Sequence, residues 1–256
     1  MSNFKNRLVI YLTFIYLFSD LIFSQEPQTL WTEVLGGDSD DVAYDIEELK
    51  DGGYAVVGYT KSIPLTNFDV WFLRLTADGD TLWTRTYGGN GDDYGYSLKK
   101  TDDGGFIIAG TTNSFGAGLF DFYVIRIDSI GDTLWTKTFG GVNNDYAWSV
   151  DNTYDGGFVL AGETNAFPEI PNAMFIKIDQ FGEQLWNRTY GSILADRAYS
   201  IIESFGHKLI IAGTFQILGS DLAGWLLNLN SAGDSLWSKH VWKCFSRLFL
   251  CRRNDK

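Results

Sequence analysis

Cysteine is nearly absent: two in 256 residues, which excludes a disulfide-dense scaffold and a four-cysteine zinc site. Histidine is equally scarce, with only His207 and His240. Bases are outnumbered, 20 against 32 acids, for a formal net charge of −12. Such a chain repels a phosphate backbone, so nucleic acid is excluded as a partner. No segment sustains the 3.6-residue apolar period of an amphipathic helix. After the N-terminal stretch no apolar run is long enough to span a membrane. Gly-x-Ser-x-Gly, His-Glu-x-x-His and phosphate-loop patterns are all missing.

What is present points to strands and turns. The chain is 45% hydrophobic and 16% aromatic, with 28 glycines and 4 prolines, a globular composition. Residues 1–24 stand apart. Lys5 and Arg7 precede an apolar run from Leu8 to Phe18, and Ser24 before Gln25 offers a small residue for cleavage. This is the layout of a secretory signal peptide. Asp20 leaves the run short of the ~20 residues of a spanning helix. The expected location is secreted, periplasmic or cell-surface, without stable membrane insertion once the signal is cleaved.

The remainder repeats. Tryptophans at 31, 83, 135, 186 and 237 are 52, 52, 51 and 51 residues apart. Each sits in one phrase, as in Thr133-Leu-Trp-Thr-Lys-Thr-Phe-Gly-Gly141. An acidic loop follows and ends at Asp41, Asp93, Asp145 and Asp196; an aromatic slot follows at Tyr44, Tyr96, Trp148 and Tyr199. Asp-Gly-Gly recurs at 51–53, 103–105 and 155–157, and apolar runs such as Phe106-Ile-Ile-Ala-Gly110 follow it. Self-similarity at a fixed period near 50 marks a repeat architecture.

Each repeat reads as four short strands; in the second they are about 95–101, 105–112, 121–128 and 132–139. The turns at 102–105 and 128–132 carry residues that tolerate positive φ. Runs such as Phe106-Ile-Ile-Ala are continuously apolar, so both faces of the strand are expected to be covered. The fold class is therefore all-β: a β-propeller-like array of four-stranded antiparallel blades, about four present and the propeller incomplete. A roll or stacked solenoid is the alternative. The expected organisation is a signal peptide at 1–24, a repeat domain at 25–239 and a non-repeat tail at 240–256. The repeats lie at about 42–87, 94–139, 146–190 and 197–239, with a lone strand phrase at 29–36.

The repeated residues have bland and sharp readings. The Trp buries ~150–250 Å² as inter-blade core; the alternative is a carbohydrate platform. The Asp93-type residue accepts turn N–H groups; the alternative is a calcium ligand. Ile193-Leu194-Ala195 in the fourth copy of that loop offers no ligands. Two basic slots, Arg74/Arg126/Lys177 and Arg85/Lys137/Arg188/Lys239, are assigned to solvated surfaces. His207 falls in a turn and Asn187-Arg188-Thr189 is a sequon inside a strand. No catalytic, cofactor-binding or metal residue is assigned, and the ligand-binding residues stay unassigned.

Phrases such as Gly131-Asp-Thr-Leu-Trp-Thr-Lys-Thr-Phe-Gly-Gly141 and Asp121-Phe-Tyr-Val-Ile-Arg-Ile-Asp128 resemble secreted bacterial β-propeller repeat proteins. Many members of that group end in a sorting domain for type IX secretion. The resemblance covers about residues 29–239. It implies a fold and an exported location rather than an activity. The Gly-Asp-x-Leu-Trp phrase is also similar to the repeat of quinone-type propellers, and the Ala-Gly strand end to kelch blades. No quinone chemistry is carried over, because the adjacent cysteines of those enzymes are missing.

After Lys239 the pattern breaks in mid-phrase. Residues 239–256 hold six bases, one acid and both cysteines. A chain truncated or frame-shifted after 239 is one expectation, and a basic interaction tail the other. Residues 25–238 hold 12 bases and 30 acids, so the repeats are more acidic than the whole chain. The expected function is a non-catalytic scaffold for protein or glycan binding, needing no cofactor. The alternatives are a carbohydrate-active enzyme built on unrepeated carboxylates and an envelope assembly platform.

Overall fold

The computed structural model describes residues 32–62, 66–165, 170–217 and 222–241. The signal segment, residues 29–31 of the lone phrase and the tail beyond 241 lie outside the described residues. The chain divides into two units, Met1–Val34 and Leu35–Lys256, and every strand among the described residues lies in the second. Among the described residues there is no helix.

Among the described residues sixteen strands form four separate four-stranded sheets. The first holds β1 (Asp41–Glu48), β2 (Tyr54–Thr60), β3 (Asp69–Leu75) and β4 (Thr81–Tyr87). The second holds β5 (Asp93–Lys100), β6 (Phe106–Thr112), β7 (Asp121–Ile127) and β8 (Thr133–Phe139). The third holds β9 (Asp145–Asn152), β10 (Phe158–Thr164), β11 (Asn172–Ile178) and β12 (Gln184–Tyr190). The fourth holds β13 (Asp196–Ser204), β14 (Lys208–Gln216), β15 (Leu222–Leu229) and β16 (Ser235–Val241). In each sheet the strands pair antiparallel in chain order. First strands touch in succession, β1 on β5, β5 on β9 and β9 on β13, whereas successive fourth strands make no substantial contact. The sheets therefore fan out from their first strands as propeller-like blades.

Each junction between blades has its own apolar core. Strands β6, β7 and β10 are buried at every position, as expected of strands covered on both faces. At the face each blade turns to the next, a large residue accompanies a smaller one: Val70 with Phe72, then Phe122 with Val124, then Ala173 with Phe175. Between the first and second junctions the large and small residues exchange places with the total held, which preserves close packing, whereas Ala173 makes the third pair smaller. The end blades lack one neighbour among the described residues. Tyr44 and Ile46 are exposed at one end, and Ile202, Leu226 and Trp237 at the other.

The repeated tryptophans lie at the rim of these cores. Trp83, Trp135 and Trp186 are half-buried and pack on the core of the following junction. Each covers the turn glycine of the next blade. A Cβ on Gly131, Gly182 or Gly233 would come within about 3.1 Å of the indole carbons. The Trp135 and Trp186 indole N–H groups donate to the Gln180 and Ser231 carbonyls at 3.2 and 3.0 Å. Tyr87 and Tyr190 donate their hydroxyls to the Gly131 and Gly233 carbonyls at 2.7 Å. Trp135→Ala is expected to lower the melting temperature by several degrees, since ~1 kcal/mol shifts a domain of this size by 2–4 °C. An unchanged melting temperature in a folded variant, read by circular dichroism, would show that the ring does not bind blades together.

One expectation is corrected. The Arg74/Arg126/Lys177 slot is not solvated surface: all three residues are buried, Arg126 to 5% exposure. Arg126 donates to the Phe106 carbonyl at 3.2 Å and to both Asp103 oxygens at 2.6 Å. Lys177 donates to Thr153 at 2.8 Å and Asp155 at 2.9 Å. The Asp-Gly-Gly motif serves this cation. Gly104, at φ 87°, makes the turn, and a Cβ on Gly105 would lie 2.5 Å from the Arg126 guanidinium. The Thr101 hydroxyl and Arg126 hold the Asp103 carboxyl down at about 2. In the fourth blade both halves change together: Asn228 replaces the cation and the turn reads Ser204-Phe205-Gly206-His207. His207 is exposed in that turn.

Candidate functional site

A strip of aromatic rings crosses all four blades at their first strands. Its origin is a β-bulge repeated in each blade. Ala43 and Asp45 pair with Gly58 and Val57, which leaves Tyr44 unpaired. The same skip leaves Tyr96, Trp148 and Tyr199 unpaired. A bulge re-aims the side chain it frees. Its cause is the glycine of the second strand. A Cβ on Gly58, Gly110, Gly162 or Gly213 would come within 2.0 Å of the carbonyl oxygen just before the bulge.

The freed rings meet across the junctions. Tyr44 meets Tyr96 edge-on at 5.0 Å, Tyr96 meets Trp148 at 4.7 Å, and Trp148 meets Tyr199 at 6.4 Å. A second tier extends the strip towards the loops. Tyr59 meets Tyr94 at 4.9 Å, Tyr94 meets Phe120 at 6.2 Å, and Phe120 stacks on Tyr146 at 5.7 Å. Tyr44 and Tyr199 are the open ends, 52% and 46% exposed, and the rings between them are partly exposed. Burial raises the Tyr94 hydroxyl to about 12, with the Asp92 charge adding to it. Burial and the neighbouring Tyr44 raise Tyr96 as well. These hydroxyls stay protonated donors throughout the physiological range. The Trp148 indole N–H has no hydrogen-bond partner among the described residues.

The backbone edge beneath the strip is capped from blade to blade. Asp45 accepts the Leu98 N–H at 2.9 Å, and the Ser97 and Ser149 hydroxyls accept those of Val150 and Ile201 at 3.4 and 3.2 Å. Asp151 accepts the Glu203 N–H at 2.8 Å. At the far end Glu163 and Arg197 form an ion pair.

The recurring aspartates are turn structure, as the blander reading of the sequence holds. Asp41, Asp93 and Asp145 accept the N–H of Gly37, Gly89 and Gly141 at 2.7–2.8 Å, and Asp196 that of Ser192. Ser114 also donates to Asp93 at 2.6 Å. A second carboxylate faces this cap. Oxygens of Asp69 and Asp93 both lie within 2.6 Å of the Cβ position of Gly88, as do those of Asp121 and Asp145 at Gly140. Burial first, and then the Asp93 charge, push Asp69 up to about 6. At the third junction Asn172 stands in the Asp69 position, facing Asp196. Among the described residues no three His, Cys, Asp or Glu side chains gather as a metal cluster.

Two other features repeat or enclose space. A second bulge, between third and fourth strands, exposes Leu82, Leu134, Leu185 and Leu236. A cleft of about 470 Å³ lies between the second and third blades, lined by Trp135, Phe158, Phe181 and the Arg126–Asp103 pair. The sequence showed the aromatic slot as a repeat but assigned it no role. Its signal was an aromatic at one offset before every strand-end glycine.

No protein-family model matches the chain. A regulatory protein, FlaEY of Caulobacter vibrioides, is 27% identical over 111 residues, which is 38% of this chain. The chain spans 12% of that relative's length. Among solved structures, a protein of unknown function from Bacteroides caccae superposes with a TM-score of 0.41 at 10% identity, covering 77% of this chain and 81% of that one. The tail fibre of Staphylococcus aureus phage P68 gives a TM-score of 0.28 at 10% identity, over 85% of this chain and 56% of that one.

Proposed function

We propose that this protein is an exported, non-catalytic β-propeller scaffold that binds a protein or glycan along its aromatic strip. One observation carries the reading: the bulge residues Tyr44, Tyr96, Trp148 and Tyr199 place a ring at the same position of every blade. Catalysis needs a unique constellation, whereas four equivalent rings make a platform. Tyr and Trp suit that task, because they offer a large apolar face and a polar tip at low entropy cost. Export rests on the N-terminal basic and apolar segments, and on the likeness of the repeats to secreted bacterial propeller proteins.

The test is a glycan array and an envelope-extract pull-down, run beside a hydrolysis screen. Binding without turnover that weakens in Tyr96→Ala is the expected result. Hydrolysis of a bound glycan would replace the scaffold by an enzyme. Capture of envelope components that Tyr96→Ala leaves intact would move the interface off the strip.

A further inference from the structure

We infer that the strip takes a single polysaccharide strand without negative charge laid across the blades, each blade contributing one ring as a subsite. This rests on the scaffold reading above and names its ligand.

Direction is the first argument. The rings succeed one another from blade to blade, 4.7 to 6.4 Å apart, so the strip is elongated across the strands. A long ligand can engage several equivalent rings at once, and a compact one cannot.

Chemistry is the second. A pyranose has an apolar C–H face and a rim of hydroxyls. The exposed Tyr44 and Tyr199 rings supply apolar surface at the two ends, the partly exposed Tyr96 and Trp148 rings continue it between them, and the Tyr hydroxyls supply polar contacts. Charge is the third. Asp40 and Asp92 lie near enough to raise the Tyr59 and Tyr94 hydroxyls, after burial. The cations beside the strip are engaged, Lys61 over the Phe68 ring at 5.1 Å and Arg197 with Glu163. An anionic glycan would meet a repulsive field here.

The capped edge argues against a peptide. An extended peptide binds a sheet edge through free backbone N–H groups. Those of Leu98, Val150, Ile201 and Glu203 are already held by the preceding blade.

The experiment is titration calorimetry of the full chain with three oligosaccharide ladders of one to six units. They are neutral gluco-, manno- or xylo-oligomers, acidic galacturonate oligomers and cationic glucosamine oligomers. At least one neutral or cationic ladder should bind, its affinity rising tenfold or more up to about four units and then levelling. Tyr96→Ala and Trp148→Ala should each weaken the longest oligomer about tenfold, the loss of one buried aromatic contact. Trp148→Phe should retain most of the binding. Leu134→Ala, on the outer strand, should change nothing, and melting temperatures control for folding. Affinity independent of length, or an acidic ladder binding as tightly as a neutral or cationic one, would overturn the proposal. So would silence from every ladder. Silence together with a protein captured through Tyr96 would leave the scaffold standing and remove only the glycan. Silence with no Tyr96-dependent partner would remove both.

Discussion

Gly162→Ala is expected to destabilise the protein by about 3 kcal/mol or more, at the upper end of what overpacking costs. The added methyl would lie 1.9 Å from the Tyr146 carbonyl oxygen and 2.6 Å from the Phe122 ring. Neither neighbour can yield cheaply. The carbonyl belongs to the backbone just before the Trp148 bulge, and Phe122 is wholly buried in the junction of blades two and three. Relief requires undoing the bulge or opening the junction, so the strip should suffer together with stability. Gly141→Ala is the control, because a Cβ there meets nothing within 4 Å. Urea unfolding of the two variants should separate them clearly. Equal midpoints would mean that the bulge is not imposed by the glycine.

Asp69→Asn is expected to stabilise the protein at neutral pH, and the sign follows from the carboxylate pair. Asp69 titrates at about 6 in the folded chain, against 3.8 for a free side chain. Its raised pKa means that the folded state holds the proton more tightly, so stability is greatest below about pH 4 and falls as pH rises through 6. Two units correspond to about 3 kcal/mol, which is the ceiling of the gain. The amide removes the repulsion and keeps an oxygen for the Asn67 amide, which donates to Asp69 at 3.2 Å. Asn172 already fills the same position at the third junction. Melting curves at pH 4, 5.5 and 7.5 should show no gain at pH 4 and the full gain at 7.5. A variant destabilised at 7.5, or with the wild-type pH slope, would show that the two carboxylates do not oppose each other.

Much of the fold was legible because each repeated motif does one local job. The expected strands of the second repeat, 95–101, 105–112, 121–128 and 132–139, lie within two residues of β5 to β8 at each boundary. Continuous apolar runs foretold strands covered on both faces, and β6, β7 and β10 are covered. The basic slot was misread because its partners are distant in sequence. Arg126 lies 23 residues from Asp103, and only strand pairing brings the guanidinium beneath the turn. Propensity alone places a charged residue outside. The turn carbonyls that shelter the cation belong to the folded hairpin.

The period of 51 to 52 residues, the turn glycines and the apolar runs are local facts, and they determined an all-β array of four-stranded blades. Which way a side chain points depends on where a bulge interrupts the strand. The bulge depends on a carbonyl of one strand passing over a glycine of its neighbour. Tyr44, Tyr96, Trp148 and Tyr199 could therefore be recognised as a repeat from the sequence, but became a continuous strip only when the blades were stacked. The same holds for Asp69 and Asp93: 24 residues apart, they oppose each other only because two blades close around Gly88. Contacts between sheets arise from packing, and no single repeat contains them.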